Sequence, residues 1–360
     1  MRDIVKDEDK IIEDIESRDV VEEVEDDGPV ELISTGIDLW DCQCGGGFPL
    51  GKIVNIIGSE HTGKSLLASE LINAAYKKYK DKFKWVYDDA EEGYSFNSKK
   101  IWGFDIIDED FDNSYTIEDF EANLRKALSK LKDDEFMYYI LDSFDSLTTD
   151  AEIEYHKKKM TAHEKGKVPD AGTYGTSKAK GLSQFFRMIR REIKDKKCCV
   201  VVLSQVRENI GVMFGKQYTR TGGKALDHNA FLKFWLAIAE RNELKGIGLP
   251  PTVRILCDKN KITGKQDRKI WLDQYEFGVD NVKSNISFLY GLKTPEGKSK
   301  KKGDEKGLIW NDIEYSFNDL VIYIEENNLE NELRRKVRYK WQEIEDSVDT
   351  SKGRKPKYEL

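Results

Sequence analysis

Short apolar runs alternate with amphipathic stretches between residues 32 and 290 of this chain. Apolar residues between the runs recur at helical spacing, as in the stretch 66–75 that follows the first run. Strands that alternate with helices predict an α/β fold with a mostly parallel central sheet. The runs that read as buried strands are 53–57, 83–87, 136–141, 198–203, 231–239, 253–257 and 269–272.

The pattern changes at both ends. Residues 1–31 interleave apolar and acidic residues, which predicts an amphipathic helix followed by an extended segment. The alternative for this segment is a solvated tail without fixed structure. Residues 291–307 form a basic, glycine-containing linker, and helical spacing returns over 308–347. We therefore predict a core domain at 32–290, a small helical C-terminal domain at 308–347 and a flexible tail at 348–360.

Composition limits the class of protein. The chain has 360 residues, of which 39% are apolar, and this is enough for one large domain with small additions. Its net charge is −8. An acidic total does not exclude DNA binding, because local patches decide it. The five cysteines show no C-x-x-C pair, which favours a reduced intracellular protein without a zinc site. No signal peptide or membrane-length apolar run is visible, so we expect a soluble, cytoplasmic protein that binds no membrane.

A phosphate-binding loop follows the first apolar run. It fits G-x-x-x-x-G-K-[ST] and stands between a predicted strand and a predicted helix, the context that the motif needs. Its backbone N–H groups would surround phosphate oxygens, Lys64 would reach the β- and γ-phosphates, and Ser65 would bind Mg²⁺. The alternative is a chance glycine-rich turn. The residues are Gly58, Ser59, Glu60, His61, Thr62, Gly63, Lys64 and Ser65.

Carboxylates follow two of the other runs. Asp142 directly follows the run 136–141, and a carboxylate at this place would complete the Mg²⁺ shell of a P-loop nucleotide site. The acidic segment 88–92 follows the run 83–87, and a carboxylate there would lie beside the phosphates and orient water. The alternative for 88–92 is an acidic N-cap of the next helix.

At this point the sequence resembles the bacterial RecA recombinases over roughly residues 32–290. The resemblance rests on the segments 34–36 and 45–54, the phosphate loop, Asp89-Ala90-Glu91, Leu141-Asp142-Ser143, 204–215 and 221–226. It implies a RecA-like core, ATP and Mg²⁺ as ligands, and Glu91 as the catalytic carboxylate. It also implies that Gln205 senses the γ-phosphate and that Lys259 and Lys261 reach the nucleotide of a neighbouring protomer.

Two predicted loops, near 156–181 and 207–224, would bind DNA. In the second, glycines flank the apolar residues Val212, Met213 and Phe214, which could wedge between bases. Basic residues supply charge for phosphates. Tyr174 lies near the position of the family's base-inserting residue, so the resemblance implies that Tyr174 stacks on a base. The alternatives are core packing for the apolar trio and a solvated face for the lysines of the first loop. The predicted DNA-binding residues are Tyr174, Gly175, Lys180, Ser183, Arg187, Arg207, Asn209, Ile210, Gly211, Val212, Met213, Phe214, Gly215, Arg220, Thr221, Gly222 and Gly223.

The chain departs from the family pattern in three places. Ser98 stands by spacing where the family has the aromatic that stacks on adenine, and Tyr94 or Phe96 could take that role. The acidic N-terminal segment would pack on the adjacent protomer, and the C-terminal domain with its basic linker would bind duplex DNA. The divergent ends would suit a virus-encoded protein, whose location would be the host cytoplasm.

The resemblance implies an ATP-dependent recombinase. It would form helical filaments on single-stranded DNA, with ATP between protomers, and would exchange strands with double-stranded DNA. The alternatives are a ring-forming ATPase or helicase of the same fold, and an accessory DNA-binding paralogue without strand exchange.

Overall fold

The computed structural model describes residues 30–164, 174–208, 218–219, 223–244, 247–275, 278–292 and 306–348. The strands are β1 (Leu32–Ile33), β2 (Phe48–Pro49), β3 (Ile53–Gly58), β4 (Phe83–Asp88), β5 (Phe136–Leu141), β6 (Cys198–Gln205), β7 (Arg207–Glu208), β8 (Tyr218–Thr219), β9 (Leu232–Leu244), β10 (Ile247–Asn260), β11 (Arg268–Tyr275), β12 (Gly278–Asp280), β13 (Lys306–Trp310) and β14 (Ile313–Ser316). The helices are α1 (Asp38–Cys44), α2 (Lys64–Tyr79), α3 (Ser98–Trp102), α4 (Ile117–Lys130), α5 (Asp150–Glu164), α6 (Tyr174–Asp195), α7 (Gly223–Asn229), α8 (Asn281–Leu289), α9 (Phe317–Glu326) and α10 (Glu330–Ser347).

The central sheet has eight strands in the order β12, β11, β10, β9, β3, β6, β5 and β4. Five neighbouring strands of the sheet run parallel to one another: β9, β3, β6, β5 and β4. The other three, β10, β11 and β12, join the sheet by antiparallel pairing. The predicted α/β fold with a mostly parallel sheet is confirmed. All seven apolar runs fall within this sheet, and the last two of them lie in its antiparallel part.

Buried strand residues alternate between two hydrophobic clusters on opposite faces of the sheet. In β5, Tyr138 and Ile140 pack in the cluster that contains α2, whereas Tyr139 and Leu141 pack in the cluster that contains α4 and α6. Every residue of β5 is buried. A strand covered on both faces needs apolar residues at every position, which is why these runs are continuous rather than alternating.

The carboxyl ends of β3, β4, β5 and β6 meet at one edge of the sheet, because these neighbours are parallel. In open α/β sheets this edge is the usual place for a ligand. The phosphate loop, Glu91, Asp142 and Gln205 follow or end these four strands. The fold therefore brings to one edge residues that are up to 147 positions apart in sequence, from Gly58 to Gln205.

The C-terminal elements begin differently from the prediction. Residues 308–347 were expected to be helical, but the β13–β14 hairpin precedes α9 and α10. Asn311 and Asp312 have φ of 49° and 67° and form its two-residue turn. Positive φ at both central positions is the geometry of a type I′ turn, for which Asn and Asp are favoured. Most of the predicted segment 1–31 and linker 291–307 lie outside the described residues, so the domain boundaries stay predictions.

Three ion pairs attach α10 to the rest of the structure, one near its start and two near its end. At its start, Arg334 Nε lies 2.5 Å from Oδ1 of the buried Asp38. Near its end, the buried Glu345 accepts hydrogen bonds from Arg268 Nε at 2.6 Å and Nη2 at 2.9 Å, and from Lys265 Nζ at 2.8 Å. The helix is therefore attached to α1 at one end and to the β10–β11 turn at the other.

The five cysteines all lie in the described part of the chain, and none forms a disulfide. Cys44, Cys198, Cys199 and Cys257 are buried, and Cys42 is half-buried. Burial raises the pKa of Cys42 and of Cys257 to about 12. Among the described helices, none combines the length and the apolar character that crossing a membrane requires.

Candidate nucleotide site and DNA-binding segments

The phosphate loop joins β3 to α2. Gly63 precedes the helix with φ of 79°, and no side chain caps the first N–H groups of α2. The positive φ favours glycine at this position, and a Cβ there would also lie 2.3 Å from Nε2 of Gln274 in β11, so the Gln274 side chain would have to move. Uncapped N–H groups at the start of a 16-residue helix are donors suited to phosphate oxygens.

Lys64 is folded back onto its own loop. Its Nζ donates to the carbonyl oxygens of Gly58 at 3.0 Å and Ser59 at 2.9 Å. Burial lowers the pKa of Lys64, and the negative charges of Asp142 and Glu91 counteract that effect. The ammonium group therefore stands beside the loop and a group of carboxylates, where a phosphate could replace the carbonyl contacts.

A hydroxyl and a carboxylate meet beneath the loop. Ser65 Oγ donates to Asp142 Oδ2 at 2.6 Å, and the Tyr87 hydroxyl donates to the same oxygen at 2.7 Å. Burial raises the pKa of Asp142, and the nearby charges of Glu91 and Asp89 raise it further. Hard oxygen ligands of this kind fit Mg²⁺, whose positive charge would stabilise the ionised carboxylate.

Glu91 connects the ends of β5 and β6. Its Oε1 accepts hydrogen bonds from Gln205 Nε2 at 2.7 Å and from the Ser143 hydroxyl. The backbone N–H of Gln205 donates to Asp145 Oδ2 at 2.6 Å. Glu91 is exposed. Its backbone N–H donates to the carbonyl oxygen of Asp142, and the peptide bond between Asp142 and Ser143 is cis. An exposed carboxylate held in this way can accept a proton from water, and Gln205 is tied to it directly.

The alternative interpretation of residues 88–92 as a helix cap is wrong. Helix α3 begins only at Ser98, and Asn97 is its cap through a 2.9 Å bond from the N–H of Lys100. Asp88 instead accepts bonds from the N–H of Ser114 at 2.8 Å and the hydroxyl of Tyr139 at 2.6 Å. Asp88 therefore stabilises the strand ends, and Glu91 is left exposed at the edge of the sheet.

The lysines predicted to act on a neighbouring protomer differ from each other. Lys259 Nζ donates to the carbonyl oxygens of Asp227 at 2.6 Å and His228 at 3.0 Å, near the carboxyl end of α7. Burial and the charges of Lys261 and Lys233 lower its pKa to about 8. Lys261 is exposed. Neither lysine contacts Glu91 or the phosphate loop in the described part of the protomer.

The aromatic candidates for adenine stacking form a chain of edge-on rings. Tyr94 packs at 4.9 Å from Tyr87 and at 5.4 Å from Phe96, measured between ring centroids. Its hydroxyl lies 3.1 Å from Ser69 Oγ, and burial raises its pKa to about 12. Ser98 is buried and accepts a bond from the N–H of Ile106. Tyr94 is thus attached to α2, while Phe96 lies beyond it.

The predicted irregular loop at 156–181 is wrong at both ends. Helix α5 continues to Glu164, and α6 begins at Tyr174, so only residues 165–173 lie outside the described chain. Lysine, alanine, methionine and glutamate favour helices, which explains the difference. The predicted DNA-binding residues Ser183 and Arg187 lie inside α6, as do Tyr174, Gly175 and Lys180. The side chain of Arg187 is exposed.

The second predicted DNA-binding segment is described only at its ends. Strands β7 and β8 pair antiparallel, with Arg207 opposite Thr219, and Gly223 begins α7. The remaining predicted residues lie outside the described chain, and their roles stay predictions. They are Asn209, Ile210, Gly211, Val212, Met213, Phe214, Gly215, Arg220, Thr221 and Gly222.

Three residues of the nucleotide edge received no role from the sequence, although Ser143 belongs to a motif named there. Tyr87 bonds Asp142, Ser143 bonds Glu91, and Asp145 bonds the N–H of Gln205. All three stand at or just beyond strand ends. Polar residues at the carboxyl ends of neighbouring parallel strands are the signal that could have identified them.

Together the fold and this edge define an α/β protein of the P-loop nucleotide-binding class. The RecA N-terminal domain model matches residues 10–267, which is more than half of the chain. This chain therefore belongs to the RecA family.

Two known proteins that are similar to this chain are a curated sequence and a solved structure. The chain is 28% identical over 278 residues to "Protein RecA" of Mesoplasma florum, covering 76% of this chain and 77% of that protein. It also aligns with the crystal structure of the RadB recombinase at a TM-score of 0.46 and 15% identity, over 69% of this chain and 98% of that one.

Proposed function

We propose that this protein is an ATP-dependent homologous recombinase that forms helical filaments on single-stranded DNA and catalyses pairing and strand exchange. One contact carries the proposal: the 2.7 Å hydrogen bond from Gln205 to Glu91. Gln205 is the last residue of β6, and the predicted DNA-binding segment begins two residues later. Glu91, to which we assign the activation of water, is therefore in direct contact with β6, the strand that leads to the predicted DNA-binding segment.

The donor set at the sheet edge supports ATP and Mg²⁺ as ligands. The uncapped N–H groups of α2 and the Lys64 ammonium suit the phosphates. Ser65 and Asp142 would hold Mg²⁺, which when bound would neutralise charge on the phosphate oxygens. Glu91 would orient and deprotonate the attacking water.

Gln205 would act as the switch between two states. In the described protomer its amide is bonded to Glu91 and its N–H to Asp145. With a γ-phosphate present, the amide would turn to a phosphate oxygen and leave the Glu91 carboxylate free for water. The same rotation would shift the start of the DNA-binding segment, a change of the order–disorder kind.

Lys259 and Lys261 would complete the site from a neighbouring protomer. Both extend from the end of β10 or just beyond it, and neither is placed to act on its own phosphate loop. Two cations brought to the transferring phosphoryl group would stabilise its charge. The contact of Lys259 with α7, away from its own phosphate loop, supports a site that a second copy completes, with ATP at the protomer interface of a homo-oligomeric filament.

Electron microscopy of the protein with single-stranded DNA and ATP tests this assembly. We expect helical filaments, whereas closed hexamers would favour a ring ATPase or helicase. A strand-invasion (D-loop) assay with and without ATP tests the activity itself. Filaments without D-loop formation would show an accessory DNA-binding protein and refute strand exchange.

A further inference from the structure

The carboxylate of Asp142 receives two hydroxyl donors on the same oxygen. Ser65 Oγ donates to its Oδ2 at 2.6 Å, and the Tyr87 hydroxyl donates to Oδ2 at 2.7 Å. A carboxylate oxygen offers two lone pairs, so these two bonds occupy Oδ2 fully. Within the described part of the chain, no hydrogen bond reaches Oδ1. Oδ1 is therefore the oxygen that remains for a metal ion or its water.

The two donors differ in how firmly the chain holds them. Ser65 is half-buried in the first turn of α2, and its hydroxyl is itself a proposed ligand of Mg²⁺. Tyr87 is 3% exposed in β4, and its ring packs edge-on against Tyr94 at 4.9 Å between centroids. A phenol is protonated at neutral pH, so Tyr87 is a constant donor. Tyr87 therefore makes the fixed contact of the two, and the Ser65 hydroxyl makes the one that can rotate.

The register of two parallel strands brings the phenol to the carboxylate. Tyr87 lies opposite Ile140 in the pairing of β4 with β5, and Asp142 directly follows β5. The backbone N–H of Asp142 also donates to the carbonyl oxygen of Asp88 at 2.9 Å. The sheet thus holds the backbone on both sides of the bond between Tyr87 and Asp142, and the bond restricts the rotation of the Asp142 side chain.

We propose that Tyr87 is a positioning residue for the Mg²⁺ site, because its hydroxyl fixes the orientation of the Asp142 carboxylate and keeps Oδ1 available for the metal ion or its water. The inference rests on the proposed function, since it assigns a further residue to the proposed Mg-ATP site. Hydrogen-bonded partners orient the ligands of metal sites, and their loss typically weakens metal binding by about 10- to 100-fold. Without the phenol, only Ser65 would orient Asp142, although the Ser65 oxygen is also a proposed metal ligand.

A second tyrosine, in the neighbouring strand, makes the same type of contact away from the proposed metal ligands. The hydroxyl of Tyr139 in β5 donates to Asp88 Oδ2 at 2.6 Å, and its ring is fully buried. Asp88 also accepts bonds from the backbone N–H and the hydroxyl of Ser114, and it has no proposed role in nucleotide binding. Tyr139 is therefore a matched comparison for Tyr87.

The test is Tyr87→Phe, which removes the hydroxyl and keeps the buried ring. Binding of a fluorescent ATP analogue is titrated in EDTA and then against Mg²⁺ concentration, after circular dichroism has shown that the variant is folded. In EDTA the affinity should stay within about twofold of the wild type, because the N–H groups of the phosphate loop are unchanged. The Mg²⁺ concentration that gives half of the gain in affinity should rise by about tenfold or more. A loss of packing alone would lower the affinity in EDTA as well.

Tyr139→Phe is the control, since it also removes a buried phenol from a carboxylate, and its Mg²⁺ midpoint should stay close to that of the wild type. In an Asp142→Asn background, Tyr87→Phe should cause no further shift, because it acts through that carboxylate. An unchanged midpoint in Tyr87→Phe, or equal shifts in the two tyrosine variants, would overturn the positioning role alone. If binding by the unaltered protein does not depend on Mg²⁺, the proposed nucleotide site fails, and this role fails with it.

Discussion

The contact of Glu345 with the β10–β11 turn makes a measurable contribution to stability. Its carboxylate is buried and accepts three charged hydrogen bonds, two from Arg268 and one from Lys265. These contacts, led by the bond from Arg268, lower the pKa of Glu345 from 4.5 to about 2. We therefore choose Glu345→Gln, which keeps the size of the side chain and removes its charge.

The size of the effect follows from that shift in pKa. A difference of roughly 2.5 pKa units at about 1.4 kcal/mol each sets an upper bound of about 3.5 kcal/mol on this stabilisation. The side chain of Lys265 is 47% exposed, and solvent screens the interaction. We expect Glu345→Gln to lower the free energy of unfolding by about 1–2 kcal/mol at pH 7.

Acid should abolish the difference between the two proteins. The pKa of Glu345 is depressed in the folded state, so its stabilisation is complete above pH 4.5 and disappears as the pH falls towards about 2. Urea unfolding at several pH values between 7 and 3 measures this. The control is Glu343→Gln on the same helix, whose exposed pair with Lys340 should contribute less than about 0.5 kcal/mol. Equal unfolding energies for the two variants at pH 7, or a gap that does not narrow in acid, would refute the reasoning.

Three further predictions concern the proposed activity. Glu91→Ala should keep ATP-dependent DNA binding, but its rate of ATP hydrolysis should fall by roughly a hundredfold or more because no carboxylate then activates water. An unchanged rate of phosphate release would show that Glu91 does not activate water. Gly63→Ala should abolish nucleotide binding, because a φ of 79° strains any residue with a Cβ and this Cβ would push against the Gln274 side chain. Titration with a fluorescent ATP analogue measures this, and wild-type affinity would contradict the reasoning. Met213→Ala with Phe214→Ala should impair D-loop formation more than ATP binding, and full D-loop yield would exclude a wedge between bases.

The sequence predicts the sheet well because its strands are buried on both faces. Runs such as 136–141 are apolar at every position, and the structure places that strand at the same bounds. The phosphate loop, Asp142 and Glu91 could also be predicted to meet, because parallel strands align their carboxyl ends. Local sequence patterns are therefore sufficient to predict the structure where burial or backbone geometry strongly restricts the residue types.

The same reasoning fails where no core enforces a pattern. Helix α5 is exposed on every side from His156 to Thr161 and carries only Met160 as a large apolar residue there, so it lacks the apolar periodicity that identifies a helix. The bond from Tyr87 to Asp142 joins two strands 55 residues apart, and only their register brings the groups together. Likewise, Lys259 and Lys261 look equivalent in sequence, and only the carbonyls of α7 distinguish them.

The protected cysteines have a practical consequence for labelling. Thiol reagents attack the thiolate, and burial keeps the pKa of Cys42 and Cys257 near 12. The other three thiols are fully enclosed. A single cysteine introduced at the exposed Thr161 should therefore take up a maleimide dye selectively, with every native cysteine left in place. One fluorophore at the end of α5 would then show, through its anisotropy, whether added DNA contacts that part of the chain.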